Sequence, residues 1–298
     1  MTTSVLDAPF WVRLKSEILA PKKGAGNPEL WARIEAIADD LLVTVAAWKG
    51  GVGKTELAKE IAFLFAAALV DLDWDAGGIT RKWGYRHETR STAPLLDAIE
   101  TGRTPKPLSG HGVRADLVPS HPDFVANQPA PDDMASYLEK WQAAWRRPVV
   151  VDTHPGGTSS TLGAVAAARV VVVPINLEVN ALRAAEQMAD ELQGGLPLFF
   201  VPNKVSSVPE AQVKWLDKIC TTYEIPCGPS VSNHVFLPQR HLTMAVSSPG
   251  KKGEIPARSK RFTEEIYQVA KAIVFYAVNE PYVFADDEDD ETGQEVSQ

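Results

Sequence analysis

The chain has 298 residues, 45% hydrophobic and 23% charged, and no apolar run approaches the ~20 residues of a membrane-spanning helix. Its formal net charge is −8, and Asp286, Asp287, Glu288, Asp289, Asp290, Glu291 and Glu295 supply most of that excess with no lysine or arginine among them. The body before this block is therefore near neutral, and overall charge does not exclude a local basic patch for nucleic acid.

The first nine residues lack a basic stretch followed by an apolar core, so no secretory signal is expected. Residues 10–19 are apolar and basic and lead into Pro21-Lys22-Lys23-Gly24-Ala25-Gly26; residues 1–26 read as an appendage. Asn27 and Pro28 then make a helix start, with a capping side chain followed by proline at the first helical position. Leu30, Ile34, Ile37 and Leu41 recur at helical spacing, so this helix is expected to pack on the main domain. The apolar run 41–47 is a strand, and Lys49-Gly50-Gly51-Val52-Gly53-Lys54-Thr55 opens a helix that runs to about residue 65.

Another apolar run, 67–72, ends among carboxylates, Asp71 and Asp73. Residues 82–131 are rich in Pro, His and Gly, which predicts loops with one short helix around 95–99. Further strands are expected at 149–152, 169–173 and 196–201, with helices at 134–145 and 181–192 between them. Continuous Val and Leu runs, rather than alternating ones, indicate a parallel sheet covered on both faces. The expected architecture is a doubly wound α/β sheet with its ligand at the carboxyl ends of the strands. A last helix at 262–278 precedes Asn279-Glu280-Pro281 and the acidic block. One domain over 27–284 and a disordered tail over 285–298 complete the expected organisation. Cys220 and Cys227 fit neither a zinc nor a CxxC spacing and read as reduced thiols of a cytoplasmic protein.

Glycines in 50–53 allow a backbone to wrap around an anion, and the following helix turns its positive end toward the same point. Lys54 reaches outer phosphates in such a loop, and the Thr55 hydroxyl joins the shell of a Mg²⁺ ion. The nucleotide segment is therefore Lys49 to Thr55 with Glu56 beginning the helix body. Lys49 has no task in an ordinary phosphate loop. Asp71, Asp73 and Asp152 stand at strand ends, where carboxylates hold Mg²⁺ through water or orient an attacking water. A lone aspartate there would be a turn residue, but three beside a phosphate loop form a pattern. Asn203 follows a strand and suits either a base edge or a turn.

Residues 49–55 resemble the deviant phosphate loop of the ParA/MinD group of ATPases, and the resemblance extends over about 42–278. Asp71-Leu72-Asp73 resembles the group's second motif, and residues 149–155 resemble the strand ending in its Mg²⁺-associated aspartate. Pro174-Ile175-Asn176-Leu177-Glu178-Val179, with Asn203, resembles its segments near adenine. The resemblance implies ATP and Mg²⁺ as ligands, with Asp152 acting through water and Asp71 farther from the ion. It implies a homodimer in which Lys49 reaches the partner's ATP, and a role for Asp73 in positioning the hydrolytic water.

Departures are Trp48 before the loop, Asp73-Trp74-Asp75 where Asp-Pro-Gln is common, and His154 where a small residue or proline is usual. The cysteines do not match the cluster ligands of iron-protein relatives. The last helix meets an acidic tail that anionic lipid would repel, so no membrane partner is expected. DNA-segregation ATPases remain as the nearest match. For them the resemblance implies a ParB-like centromere-binding partner that triggers hydrolysis, and non-specific DNA binding that associates the protein with the nucleoid. Lys251, Lys252, Arg258, Lys260 and Arg261 form the densest basic cluster and are the expected DNA contacts, with a solvated helix face as the alternative. Two other functions stay open. One is positioning of a protein complex without DNA, and the other is a weakly hydrolysing regulatory switch, suggested by Trp74 and Asp75.

Overall fold

The computed structural model describes residues 4–75, 78–192, 195–206, 209–240, 243–250 and 253–281. The acidic tail and two of the expected DNA contacts, Lys251 and Lys252, lie outside the described residues.

Helices α1 (Pro9–Leu19) and α2 (Pro28–Ile37) precede strand β1 (Leu42–Val45), and α3 (Lys54–Leu64) follows the glycine-rich loop. The chain continues through β2 (Ala68–Asp71), α4 (Ile79–Trp83), α5 (Pro94–Thr101), β3 (Asp116–Val118) and α6 (Pro131–Trp145). Then come β4 (Val149–Asp152), α7 (Ser159–Ala167), β5 (Val170–Ile175), α8 (Val179–Glu191), β6 (Leu198–Pro202), α9 (Glu210–Tyr223) and α10 (Lys260–Ala277). The strands form one parallel sheet in the order β3-β2-β4-β1-β5-β6.

Strand residues alternate between two cores, as the period of two requires. Val43, Val45, Leu69, Val150, Val170 and Val172 face a layer formed by α1, α2, α3 and α10. Leu42, Val70, Val149, Val151, Val171 and Val173 face α5 to α9 on the other side. Both faces are covered, which is why the strands read as unbroken Val and Leu runs.

Helix α2 begins as its sequence dictates: Asn27 Oδ1 accepts from the Leu30 amide at 2.9 Å, with Pro28 at the first position. The appendage expected over 1–26 requires correction. Phe10, Trp11, Leu14 and Ile18 of α1 are buried in the same core as α3 and α10. Trp11 Nε1 donates to the Phe65 carbonyl at 3.1 Å, and the Arg13 guanidinium lies 3.5 Å from the centre of the Tyr267 ring on α10. The glycine-rich stretch 21–26 separates two packed helices rather than ending a tail: Gly26 lies so close to the Leu19 carbonyl that a Cβ would sit 2.2 Å from its oxygen.

The segment 82–131 also holds more than one short helix. It contains β3, which adds an edge to the sheet by pairing Ala68↔Asp116 through Val70↔Val118. Its short helix is longer than expected, Pro94–Thr101.

Candidate nucleotide site

The loop between β1 and α3 stands at the carboxyl edge of a central strand, flanked by β4 on one side and β5 on the other. This is where a doubly wound sheet opens a crevice. Gly51 and Gly53 have φ of 80° and 97°, the left-handed region that glycine enters without a steric cost. Gly53 carries a second constraint, since a Cβ there would sit 2.3 Å from Asn203 Nδ2. It precedes α3 directly, and no side chain caps that helix, so its first-turn amides face the loop. Lys54, the first residue of α3, is 6% exposed.

Residues after β6 hold the loop from the other side. Asn203 Nδ2 donates to the Val52 carbonyl at 2.8 Å, and Lys204 Nζ donates to the Gly51 carbonyl at 2.6 Å. The amide of Asn203 is thus engaged with the loop backbone. Lys204 has no motif to announce it, and its role appears only once β6 is laid beside β5.

Parallel register brings the carboxylates together. Asp71 of β2 and Asp152 of β4 are paired in register, and Asp152 is also level with Val45 at the end of β1. Both are fully buried. Asp71 Oδ2 accepts from the Thr80 hydroxyl at 2.6 Å and the Thr80 amide at 2.7 Å, while Oδ1 accepts from the Asp73 amide at 3.0 Å. Burial nevertheless pushes its carboxyl up to about 7, against the pull of those bonds. Thr80, nine residues along the chain, was not legible as part of the site; it also accepts from the Ser120 amide at 2.8 Å, tying β2 to the chain after β3.

Among the described residues, neither carboxylate oxygen of Asp152 has a hydrogen-bond partner. Burial and the neighbouring Asp71 raise its pKa well above the ordinary range, with Lys54 and the Thr55 hydroxyl opposing. Burial lowers the pKa of Lys54, and Asp152 and Asp73 work against that shift. A buried, unpartnered carboxylate beside a lysine and a threonine hydroxyl fits a divalent cation, because such a group is costly to leave uncompensated. Thr55 and Asp152 are the residues that would hold Mg²⁺. Asp71, engaged with Thr80, stands behind them.

Lys49 Nζ lies 3.2 Å from Glu178 Oε2, at the start of α8, and keeps 30% of its side chain exposed. Trp48 donates through Nε1 to Glu191 on the same helix. Asp73 is partly exposed beyond the end of β2; burial raises its pKa, while the Asp75 amide, His154 and Lys54 counter that. Lys49, Lys54, Thr55, Asp73, Asp152 and Asn203 therefore surround one loop. Glu56 instead turns to Lys59 on its own helix, with both carboxylate oxygens 3.2 Å from Nζ. Arg258, Lys260 and Arg261 are exposed at the start of α10, and Arg261 donates to Glu265 at 2.9 Å and to the Ser232 hydroxyl at 2.6 Å.

Among known proteins, the chain is 32% identical over 166 residues to the chromosome-partitioning ATPase Soj of Thermus thermophilus. That match covers 52% of this chain and 63% of Soj, so the aligned part is less than two thirds of the relative's length. No protein-family model matches the chain. In structure it is similar to an ATP complex of a McdA variant from Cyanothece, with TM-score 0.59 and 14% identity over 81% of this chain and 97% of that one. It is equally similar to the MinD cell division protein of Aquifex aeolicus, with TM-score 0.60 and 18% identity over 82% and 99% of the two chains. In sequence the chain is thus similar to Soj over half its length, and its parallel α/β fold is similar to that of McdA and MinD over most of it.

Proposed function

We propose that the chain is a Mg²⁺-dependent ATPase of the partition type, which dimerises around ATP and uses hydrolysis to reset the dimer. The observation that carries the reading is the buried carboxylate of Asp152, without a hydrogen-bond partner among the described residues, beside Lys54 and Thr55 and under a glycine-rich loop that leads into an uncapped helix start. In this reading the loop amides and Lys54 bind the phosphates and neutralise charge gathering on them. Asp73, at the open side of the site, orients the attacking water and accepts its hydrogen bond. Mg²⁺, held by Thr55 and Asp152, would add positive charge beside the phosphates. Lys49 is dispensable for holding phosphate in one protomer, and its partly exposed ammonium suits contact with a phosphate held by a second copy. The Soj relative is a chromosome-partitioning ATPase, which supports the same reading.

For this chain we extend the proposal to non-specific DNA held by Arg258, Lys260 and Arg261 with Lys251 and Lys252, and to a ParB-like centromere-binding partner that stimulates hydrolysis. A second reading, positioning of a protein complex without DNA, draws support from Arg261, whose guanidinium is already engaged by Glu265 and Ser232.

The test is size-exclusion chromatography with and without Mg-ATP, alongside phosphate release. Wild type should dimerise with ATP and hydrolyse it, Lys54→Ala should lose ATP affinity, and Lys49→Ala should bind ATP yet stay monomeric. A Lys49→Ala variant that dimerises normally would sink the trans-lysine role. DNA retention at two salt concentrations then separates the readings, because phosphate contacts weaken steeply with salt.

A further inference from the structure

Beside the phosphate site, and not needed for holding nucleotide, Asp73, Asp75 and His154 converge so that one ligand atom from each lies within 4.8 Å of the others. Two successive turns after β2 present the carboxylates: the Asp73 amide donates to Asp71 Oδ1 at 3.0 Å, and the Asp75 amide donates to Asp73 Oδ1 at 3.1 Å. His154 arrives from the turn after β4. Its Nδ1 is 2.9 Å from the Pro155 carbonyl oxygen, and a carbonyl only accepts, so Nδ1 carries a proton. That leaves Nε2 as the nitrogen whose lone pair a metal would take, and it is 3.5 Å from Asp75 Oδ2. Trp74 stacks on the imidazole with centroids 4.0 Å apart and planes 7° from parallel, which fixes the plane in which that lone pair points. An imidazole oriented by a backbone carbonyl, with its free nitrogen among carboxylates, is how proteins prepare histidine for a metal.

A separate observation points the same way. Asp73 and Asp75 line a cavity of about 220 Å³ whose wall includes Ser120. Ser120 is 4% exposed, and its hydroxyl has no hydrogen-bond partner among the described residues. The cavity leaves room for water beside the two carboxylates.

We propose that Asp73, Asp75 and His154 form a binding site for one divalent transition-metal ion of the zinc class, with water completing its shell. The nitrogen donor favours such ions over Mg²⁺, whose preference for oxygen suits Thr55 and Asp152. With Asp73 as ligand, its carboxylate is no longer free to orient a water, so ion binding arrests hydrolysis while nucleotide binding persists. The site itself does not depend on the ATPase reading; only the arrest does.

The full chain, in excess Mg²⁺, is titrated with Co²⁺ by visible absorption and with Zn²⁺ in competition with a chromophoric chelator. Wild type should take one ion, with affinity falling about 10–100-fold in both His154→Ala and Asp75→Asn. A Cys220→Ser/Cys227→Ser variant should bind as wild type does, which assigns the ion away from the thiols. No stoichiometric binding, or undiminished binding by His154→Ala, overturns the site. Zn²⁺ should stop ATP hydrolysis in wild type and spare it in His154→Ala; bound Zn²⁺ with unchanged turnover overturns the arrest. Loss of Co²⁺ binding in His154→Ala, in a chain that hydrolyses no ATP at all, would uphold the site and fail the ATPase reading alone.

Discussion

Gly53 shows how little freedom the loop has at a single position. Its φ of 97° is strained for any other residue, and a Cβ would press on Asn203 Nδ2. Gly53→Ala should therefore weaken the folded loop by about 1–3 kcal/mol and raise the dissociation constant for ATP, read by denaturant titration and nucleotide titration together. Asp73 makes the opposite case, since it supports no buried backbone of the loop. Asp73→Asn should leave ATP binding near wild type and cut turnover by about 10²–10⁴-fold, the range for loss of a positioned base; equal losses in binding and turnover would remove that role. The carboxylates and lysines were legible because their chemistry depends on residue type and on position beside a strand. Thr80 and Lys204 were not. Their contribution is a contact across the fold, Thr80 to Asp71 and Lys204 to Gly51, and neither pair is adjacent in sequence.

At the scale of elements, α1 carries the largest difference between expectation and structure. Its apolar residues sit at Phe10, Trp11, Leu14 and Ile18, a helical stripe, but the glycine-rich 21–26 that follows is also what a tail's linker looks like. Burial decides the matter, and Trp11 is wholly enclosed. Trp11→Ala should cost about 3–5 kcal/mol of stability by chemical denaturation, whereas a dispensable appendage would lose almost nothing. The same docking has a pH dependence. Arg13 donates two hydrogen bonds to Glu264 on α10, at 2.7 and 2.8 Å, and those bonds hold the Glu264 carboxyl below its usual range. A depressed carboxyl stabilises the fold above its unfolded-state pKa of ~4.3 and stops doing so as pH falls through its lower folded value. Both side chains are half exposed, so solvent limits the effect to about 1 kcal/mol or less. Thermal melts of wild type and Glu264→Gln should differ at pH 6 and converge toward pH 3. Strand β3 escaped notice for a different reason. Three residues among prolines, histidines and glycines have too little pattern of their own, and only pairing with β2 makes them a strand.

In the proposed DNA-binding reading, the acidic residues 286–298 compete with DNA for the basic cluster at the start of α10. Removing residues 286–298 should tighten retention on DNA at low salt and lose that advantage at high salt; equal retention with and without the tail would count against the competition. The doubly wound sheet itself was legible because parallel strands buried on both faces announce themselves as apolar runs. The clamp from β6 adds a kinetic consequence. Asn203 and Lys204 hold the Val52 and Gly51 carbonyls through contacts within the protein, so the loop's ordering entropy, about 1–2 kcal/mol per residue, is met during folding and not at capture. Nucleotide should then enter at a rate set by encounter. In Asn203→Ala, stopped-flow mixing with a fluorescent ATP analogue should show slower association as the loop searches for its shape, turning a rigid docking step into one that waits on conformational sampling.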